Sequence, residues 1–416
     1  MTSEIKQKIE QIRRGEVPEG YRKVKDGIFP ADWHVLKMNQ WLKLVERPVL
    51  LKDDELYRLV TVRRGFGGVH LRGKYLGKNI LVKSYFLIQK GDFLISKRQI
   101  AHGACGVVPK SLDRAVVSNE YNVFVPNQGT NIEMFNLMMQ LPHYAKLFYL
   151  MSDGVHIEKL LFKTNDWLER KLAMPPIGEQ KRIAAILTSQ DKFIDLKEKR
   201  LAEKQRQKKY LVQQLITGKK RLPGFQGEWQ LQPLRSVLKE RKSYSPKGLE
   251  YPHVTLSTEG IFPKSERYDR DHLVKNEDKE YKITHLGDIC YNPANLKFGV
   301  ICENTFGDAI FSPIYVTFEV SDKVCKEYLA NYLMRWDFIN AVRKYEEGTV
   351  YERMAVKPED FLKYVIRLPS LDEQNAIAKV LSTADREIDL LRQDIEQEKQ
   401  KKKALMQLLL TGIVRV

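Results

Sequence analysis

Apolar residues in two stretches of this chain recur at alternating spacings of four and three, which is typical of the seam of a coiled coil. The stretches cover residues 179–222 and 373–416 and repeat each other without a gap, at an offset of 194 residues. The apolar seam positions are Ile183, Leu187, Ile194, Leu201, Leu211 and Leu215 in the first copy, and Ile377, Leu381, Ile388, Leu391, Ile395, Leu405 and Leu409 in the second. The pattern predicts two long helices that pair antiparallel within one chain.

Polar residues interrupt the first seam in its middle. Gln190, Lys197 and Lys204 stand where the pattern predicts apolar side chains. Polar seam residues lower the stability of a coiled coil. We therefore expect the two helices to pair less tightly in this region.

A mixed pattern of strands and helices precedes each long helix. Strand-like runs rich in β-branched and aromatic residues cover residues 57–62, 92–95 and 116–125 in the first region, and 289–291 and 310–320 in the second. Each region continues with a helical pattern, at residues 132–151 and 326–345, and a strand that ends at Pro175 or Pro369. The predicted fold class is an α/β (α+β) tandem duplication, with two globular domains separated by two long α-helices that form an intramolecular antiparallel coiled coil.

The domain boundaries are predicted from breaks in these patterns. They are a helical extension at residues 1–28, a first globular domain at 29–176, a first long helix at 177–218, a linker at 219–228, a second globular domain at 229–369 and a second long helix at 370–416. The linker contains proline and glycine, as a domain boundary commonly does. Ser370 precedes Glu373 by three residues, the spacing of a capping box at the start of a helix.

The chain is strongly basic. With 70 Lys and Arg against 53 Asp and Glu among 416 residues, the formal net charge is +17. A strongly basic chain favours a polyanionic partner, most simply nucleic acid, although a solvated basic surface is the alternative. Cys105, Cys290, Cys302 and Cys325 are scattered, which indicates reduced thiols in a cytoplasmic protein and no disulfide framework. The polar N-terminal residues predict no signal peptide, and no apolar run is long enough for a membrane span.

Motifs for catalysis are incomplete. Residues 73–79 (GKYLGKN) fall one residue short of a phosphate-binding loop and have Asn79 where Ser or Thr must contact magnesium. Residues 291–295 (YNPAN) match the Asn-Pro-Pro-aromatic loop of adenine methyltransferases at only two positions. The histidines have no metal-ligand spacing. We predict no complete active site and no metal site in this chain.

Basic and amide side chains after the predicted strands are the candidates for DNA binding. Arg and Lys can contact guanine edges and phosphates, and Asn and Gln can contact adenine edges. The candidates are Arg63, Arg64, Arg72, Lys74, Lys97, Arg98, Gln99 and His102 in the first globular domain, and Asn292, Asn295, Lys297, Arg343, Lys344 and Arg353 in the second. For each residue taken singly, an ordinary solvated side chain is the alternative.

Sequence motifs around the long helices resemble those of the specificity subunit of type I restriction–modification systems. They are PPIGEQ at residues 175–180, Ile183-Ala184, Lys209-x-Leu211 and Leu215-x-Thr217-Gly218, repeated over residues 368–412, together with LPGF at 222–225 and GEW at 227–229. One long helix ending in Thr-Gly would be a weak signal. Two copies separated by basic α/β domains make a specific signature that covers nearly the whole chain.

The resemblance implies a division of labour. Each globular domain would be a target-recognition domain for one half of a bipartite DNA sequence, and the helices would set the spacer and dock two methylation subunits. Restriction subunits would add cleavage. S-adenosylmethionine, ATP and magnesium would belong to these partners, so this chain would be non-catalytic and bind no cofactor. The alternatives are a coiled-coil DNA-binding or structural protein without sequence preference, and a self-sufficient methyltransferase or nuclease of unfamiliar type.

Helix geometry also predicts a role in spacing. About forty helical residues extend over ~60 Å, which is more than the ~34 Å of one DNA turn. Two half-sites more than one turn apart could therefore be recognised, with unread base pairs between them.

Overall fold

The computed structural model describes residues 3–24, 27–81, 84–154, 160–246, 250–264, 280–347 and 355–416. Its helices are α1 (Ser3–Arg13), α2 (Met38–Trp41), α3 (Ile132–Met139), α4 (Pro142–Leu150), α5 (Thr164–Leu168), α6 (Ile177–Ile216), α7 (Lys326–Leu333), α8 (Trp336–Val342), α9 (Pro358–Lys363) and α10 (Leu371–Leu409). The long helices α6 and α10 lie where the seam pattern predicts them. Among the described residues, every helix is too short or too polar to cross a membrane.

The strands of the first half of the chain are β1 (Tyr21–Val24), β2 (Gly27–Pro30), β3 (His34–Lys37), β4 (Leu42–Val45), β5 (Pro48–Val49), β6 (Leu56–Val62), β7 (Val69–Leu76), β8 (Tyr85–Leu87), β9 (Phe93–Ser96), β10 (Cys105–Val107), β11 (Val116–Ser118), β12 (Tyr121–Pro126), β13 (Ser152–Asp153), β14 (Leu161–Phe162) and β15 (Lys171–Met174). Those of the second half are β16 (Gln230–Pro233), β17 (Leu238–Glu240), β18 (Tyr244–Pro246), β19 (Val254–Ser257), β20 (Gly260–Pro263), β21 (Glu280–Thr284), β22 (Ile289–Tyr291), β23 (Ile301–Glu303), β24 (Ala309–Phe311), β25 (Val316–Val320), β26 (Glu346–Glu347), β27 (Ala355–Val356) and β28 (Val365–Leu368).

The chain divides into two compact units, and each contains half of both long helices. Unit 1 comprises Met1–Glu198 and Asp394–Val416, and unit 2 comprises Lys199–Gln393. Unit 1 therefore has the beginning of α6 and the end of α10, whereas unit 2 has the end of α6 and the beginning of α10. Each unit thus combines one globular part with one helix pair.

The globular part of unit 1 contains two larger sheets and three two-stranded ones among the described residues. In the first, β10, β9, β12 and β4 pair in that order, and in the second the order is β5, β8, β11, β6 and β7. Aromatic side chains such as Phe93, Phe124 and Trp167 are completely buried behind the first sheet. Leu187 of α6 and Leu409 of α10 belong to the same cluster, so the helix ends form part of the core of this unit.

Unit 2 repeats this plan. Strands β23, β22, β25 and β17 pair in the same order as their counterparts in unit 1. Tyr291, Phe318 and Phe361 stack in its core, with ring centroids 4.9 to 5.8 Å apart. Leu215 of α6 and Leu381 of α10 join this core. The predicted tandem duplication is confirmed by the matching order of strands and by the matching insertion of the long helices.

Four predicted elements are divided in the structure, namely the strand runs at 116–125 and 310–320 and the helices at 132–151 and 326–345. The run at 116–125 forms two strands in different sheets, since β11 pairs with β6 and β8, and β12 pairs with β4 and β9. The single helix predicted at 132–151 is wrong, because Leu141 is extended between α3 and α4. Pro142 follows it and disfavours a helical conformation at residue 141. Arg335 is extended at the equivalent position between α7 and α8, so the single helix predicted at 326–345 is wrong as well.

The predicted apolar seam residues line the helix pair in both units. Within unit 1, Ile183, Leu187, Ile194, Ile395 and Leu409 are at most 8 % exposed, and within unit 2 the same holds for Leu215, Ile377, Leu381 and Ile388. Leu201, Leu211, Leu391 and Leu405 are partly buried. Within each unit, rising residue numbers on α6 pair with falling numbers on α10, so the helices run antiparallel.

Acidic side chains of α10 satisfy the polar seam positions of α6. In unit 1, Gln190 donates to Glu398 at 2.6 Å, and Lys197 lies 2.7 Å from Asp394 and 3.1 Å from Glu398. These hydrogen bonds, from Gln190 first and Lys197 second, lower the pKa of Glu398. In unit 2, Lys204 pairs with Glu387 at 2.6 Å and lowers the pKa of that carboxyl. The expectation of looser pairing rested on α6 alone and did not include these partners.

An ion pair closes each helix pair at its end, between residues of the repeated Glu-Gln and Thr-Gly-x-x-Arg motifs. In unit 1, Arg415 donates to both oxygens of Glu179 at 2.6 and 2.7 Å, and it also binds Asp32. In unit 2, Arg221 makes the same two bonds to Glu373, at 2.5 and 2.7 Å. The glutamates are almost completely buried, at 4 % and 1 % exposure. We call these the terminal ion pairs.

The glycines of the Thr-Gly motifs are required by the packing around each terminal ion pair. Gly412 and Gly218 have φ values of 74° and 71° after the ends of α10 and α6, the left-handed conformation that favours glycine at a helix end. A Cβ atom on Gly412 would lie 2.6 Å from Pro30, and one on Gly218 would lie 3.2 Å from the Trp229 ring. Both helix ends therefore require a glycine at this position, which explains why the Thr-Gly motif is repeated.

Candidate nucleic-acid interface

The turn after β9 carries several of the candidate residues of unit 1. Residues Ile100–His102 form one turn of 3₁₀ helix, and Gly103 ends it with a φ of 75°. The Ser96 amide binds the Ala104 carbonyl, which closes the base of the turn at 3.0 Å. Lys97, Arg98, Gln99 and His102 are thus held on one compact turn between β9 and β10.

The hairpin between β6 and β7 is joined to this turn by its backbone. The amides of Gly65 and Phe66 donate to the carbonyls of His102 and Gly103 at 2.7 and 2.9 Å. Phe66 has a φ of 58°, and its ring covers Gly103, where a Cβ atom would be only 3.1 Å away. Arg63 and Arg64, both exposed, therefore lie beside the turn. These two segments are separated by more than thirty residues in sequence, and the structure brings them together.

Two basic residues of this turn already have partners. The Lys97 ammonium group donates to the Asn119 carbonyl at 2.6 Å, and Arg98 pairs with Glu120 at 2.7 Å. Arg98 and Glu120 are about half exposed, and an exposed ion pair contributes only ~0–1 kcal/mol. Exchange of Glu120 for a phosphate would therefore cost little.

Arg72 and Lys74 lie further along β7. Both side chains are exposed on this edge strand. Lys74 stands opposite Arg58 in the register with β6. These two residues extend the basic character of unit 1 along the strand.

Unit 2 has an equivalent turn after β22. Residues Leu296–Phe298 form the 3₁₀ turn, and Gly299 ends it with a φ of 82°. The Asn292 side-chain oxygen accepts from the amides of Ala294 and Asn295 at 3.1 and 3.3 Å, and Asn292 is only 6 % exposed. Asn292 thus shapes the turn, whereas the Asn295 side chain is exposed.

The remaining candidates of unit 2 differ in their surroundings. Arg343 makes two bonds to Glu346, at 2.9 and 3.2 Å, and Glu346 has a side chain only 6 % exposed. Lys344 is exposed. Arg353 lies outside the residues that the structure describes. The DNA contacts proposed for this whole group stay predictions.

Two equivalent salt bridges with buried aspartates lie at the start of β9 and β22, at the other end of each strand from the turn, and the sequence reasoning missed them. Arg47 binds both oxygens of Asp92 at 2.6 and 3.1 Å, and Arg241 binds both oxygens of Asp288 at 2.9 and 3.0 Å. Each aspartate directly precedes β9 or β22. The spacing between the copies, 194 residues for the arginines and 196 for the aspartates, was a signal that could have identified them.

Two leucines on the long helices are exposed at equivalent positions. Leu196 on α6 belongs to unit 1 and is 62 % exposed, and Leu390 on α10 belongs to unit 2 and is 58 % exposed. Each follows a buried seam isoleucine, Ile194 or Ile388, by two residues. The seam accounts for the isoleucines and leaves the repeated leucines without a role in helix pairing.

The cysteines are buried free thiols. Burial raises the pKa of Cys302 to about 12 and that of Cys325 to about 11. The thiol form is thus strongly favoured near neutral pH. Across the described ranges, His, Cys, Asp and Glu form no group of three or more that could hold a metal ion.

Comparison with known proteins adds a family match to this geometry. A family model described as the type I restriction modification DNA specificity domain matches residues 50–205 and 273–400, together more than half of the chain. The type I restriction enzyme MjaVIII specificity subunit of Methanocaldococcus jannaschii is 22 % identical over 432 aligned positions, which cover 96 % of each chain.

Solved structures share the fold. A chain from work on the complex assembly and conformational transition of the type I R-M system has a TM-score of 0.57 at 15 % identity, covering 93 % of this chain and 99 % of that one. The type I restriction-modification system S subunit from M. genitalium has a TM-score of 0.55 at 11 % identity, covering 91 % and 96 %.

Proposed function

This chain belongs to the family of type I restriction modification DNA specificity domains, and on that premise we propose that it selects the DNA sequence for a type I restriction–modification complex. Each unit binds one half of a bipartite target, and the paired helices set the length of the spacer between the halves. The observation that carries this proposal is the duplicated turn after β9 and β22, built on one scaffold with different side chains.

The chemistry of DNA modification belongs to partner subunits in this proposal. Two methylation subunits use S-adenosylmethionine to methylate adenine, and restriction subunits use ATP and magnesium for cleavage. This chain supplies specificity, is non-catalytic and binds none of these cofactors itself. Its place is the cytoplasm, where DNA is accessible and thiols stay reduced.

Recognition by each unit combines phosphate and base contacts. Arg63, Arg64, Arg72 and Lys74 supply positive charge on unit 1, and the turn from Lys97 to His102 supplies groups that can contact base edges. Asn295, Lys297 and Lys344 have these roles on unit 2. Because phosphate contacts release counterions, binding should weaken steeply as the salt concentration rises.

Exchange of one globular domain tests the assignment of half-sites. Residues 31–170 are replaced by the same region of a family member with a different target, and methylated bases are mapped genome-wide in cells that also contain the methylation subunit. We expect one half of the methylated sequence to change while the other half and the spacer are retained. A change in both halves would show that the units do not act independently.

The exposed leucines are the proposed docking positions for the methylation subunits. Two equivalent surfaces, one in each unit, suit two copies of one partner. Leu196→Asp and Leu390→Asp should each leave one copy bound, and the double variant should bind none, since burial of a leucine contributes ~1.5–3 kcal/mol and a buried unpaired carboxylate opposes it. Native mass spectrometry of the complex counts the bound copies.

Leu231→Asp provides the matched control for this experiment. Leu231 is 73 % exposed on β16, outside the long helices, and its variant should keep both copies bound. Equal melting temperatures would establish that all the variants fold. Two bound copies on the double variant would contradict the docking proposal.

A further inference from the structure

Unit 2 exposes two large apolar side chains beside the turn after β22. Phe298 is 60 % exposed and Trp336, the first residue of α8, is 56 % exposed. The Trp336 ring lies over Gly299, 3.8 Å from the place where a Cβ atom would stand. The Lys297 ammonium group lies 5.3 Å from the centre of the Phe298 ring. The result is an apolar patch with a positive charge at its edge.

Single exposed apolar residues are common on protein surfaces, so exposure alone carries no function. The comparison with the equivalent turn of unit 1 indicates a role for this patch. Phe298 is the third residue of its 3₁₀ turn, and His102 is the third residue of the turn in unit 1. Both are followed by a glycine in the left-handed conformation, Gly299 or Gly103. The same backbone position thus carries a half-buried polar ring in one unit and an exposed apolar ring in the other.

Chemical complementarity with DNA identifies what an apolar ring can recognise. In the major groove each base pair presents hydrogen-bond donors and acceptors, and the thymine 5-methyl group is the apolar feature, which Phe contacts in known complexes. A cation at the edge of the ring suits a neighbouring phosphate. Double-stranded DNA therefore fits both parts of the patch.

We propose that Phe298 recognises the 5-methyl group of a thymine in the half-site bound by unit 2. Trp336 lies beside it and excludes water from the contact, and Lys297 binds a phosphate of the same half-site. This inference rests on the proposed function, because it specifies how one unit distinguishes bases. It makes Phe298 a specificity-determining residue that the charged and amide candidates did not include.

Replacement of thymine by uracil tests the contact because it removes only the methyl group. Fluorescence anisotropy measures binding of the full chain with its methylation subunit to three DNA duplexes: the mapped target, the target with uracil throughout the unit 2 half-site, and the target with uracil throughout the unit 1 half-site. Burial of one methyl-sized group corresponds to about fourfold in affinity. We expect at least about fourfold weaker binding with uracil in the unit 2 half-site, and a smaller change with uracil in the other.

Substitutions assign the effect to Phe298. Phe298→Ala and Phe298→His should bind the thymine target more weakly and should no longer distinguish uracil from thymine, as a double-mutant cycle requires of a direct contact. Leu286→Ala is the matched control, since Leu286 is 66 % exposed at the other end of β22. That variant should keep the full discrimination.

Three outcomes would overturn the proposal: a unit 2 half-site without thymine, equal uracil effects in both half-sites, or undiminished discrimination by Phe298→Ala. If the patch binds a protein partner instead of DNA, Phe298→Ala should still distinguish uracil from thymine and should weaken the binding of that partner. If the unsubstituted complex bound all DNA sequences equally, the proposed function would be refuted. This outcome differs from the three above, so a failure of the thymine contact can be distinguished from a failure of the proposed function.

Discussion

Two polypeptides made by cutting the chain after Leu222 should assemble with each other, and the first of them should not assemble efficiently with itself. Residues 1–222 contain α6, and residues 223–416 contain α10. Each of the two terminal ion pairs joins one piece to the other, Glu179 with Arg415 and Arg221 with Glu373. The seam is buried between the pieces in both units, so most of the interface survives the cut.

The ends of the helices alone would not prevent self-assembly. Each piece has its own Glu-Gln motif and its own Thr-Gly-x-x-Arg motif, so Arg221 of one copy of residues 1–222 could bind Glu179 of another. Charged residues in the middle of the seam oppose self-assembly of residues 1–222. The partners of Lys197 are Asp394 and Glu398, and their counterparts in the first copy, 194 residues earlier, are Arg200 and Lys204. A dimer of residues 1–222 would therefore place Lys197 against positive charges.

Like charges at an interface cost several kcal/mol, so self-assembly of residues 1–222 should be on the order of a hundredfold weaker than assembly with residues 223–416. Light scattering after size-exclusion chromatography measures each assembly. Lys204→Glu is the matched variant, because it gives position 204 the residue type of its counterpart Glu398. In a dimer of residues 1–222, this glutamate would face Lys197 of the other copy. The substitution should allow residues 1–222 to dimerise and should weaken their pairing with residues 223–416, where Glu387 would face a second carboxylate. Tight self-assembly of the unsubstituted piece would contradict this argument.

Insertion of one heptad into both long helices should lengthen the unread spacer of the DNA target by about three base pairs. The insertions belong after Glu198 and after Gln393, because Lys197 and Asp394 lie opposite each other. Leucines at both seam positions of the inserted heptad keep the pairing pattern. Seven helical residues add ~10 Å, and DNA rises ~3.4 Å per base pair.

A longer spacer also rotates one half-site around the DNA axis relative to the other, which gives a second expected result. Three base pairs turn DNA by roughly a third of its 10–10.5 base-pair repeat, whereas one heptad rotates a helix by only ~20°. We therefore expect the one-heptad variant to bind its lengthened target more weakly than the original binds its own. Three heptads add ~31 Å, close to one DNA turn of ~34 Å, and should restore affinity on a target lengthened by nine or ten base pairs.

Mapping of methylated bases measures the spacer directly. An insertion in α6 alone is the control, since it shifts the register against α10 and should abolish methylation. If the variants with matched insertions methylate sites with the original spacer, the helices do not set the distance between the half-sites.

Features that are periodic or repeated could be predicted from the sequence alone. The seam through Leu187 and Leu381 follows from a local spacing of four and three, and an amphipathic helix needs no distant information to be recognised. The constant offset of 194 residues between the long helices likewise established the duplication, and the predicted strands placed corresponding turns after β9 and β22. Basic residues such as Lys97 and Arg98 could be selected because residue type and position after a predicted strand can be read from the sequence.

The contacts between distant side chains became known from the folded chain and not from the sequence. Arg415 and Glu179 are 236 residues apart. Backbone hydrogen bonds from Gly65 and Phe66 join the hairpin that carries Arg63 to the turn at His102. The polar seam of α6 became a stable interface because α10 supplies Asp394 and Glu398, which no pattern within α6 contains. Burial also separated Asn292, which shapes its own turn, from Phe298, which remains exposed. Periodicity specifies which face of an element is apolar, whereas the partner of a polar group depends on how the whole chain packs.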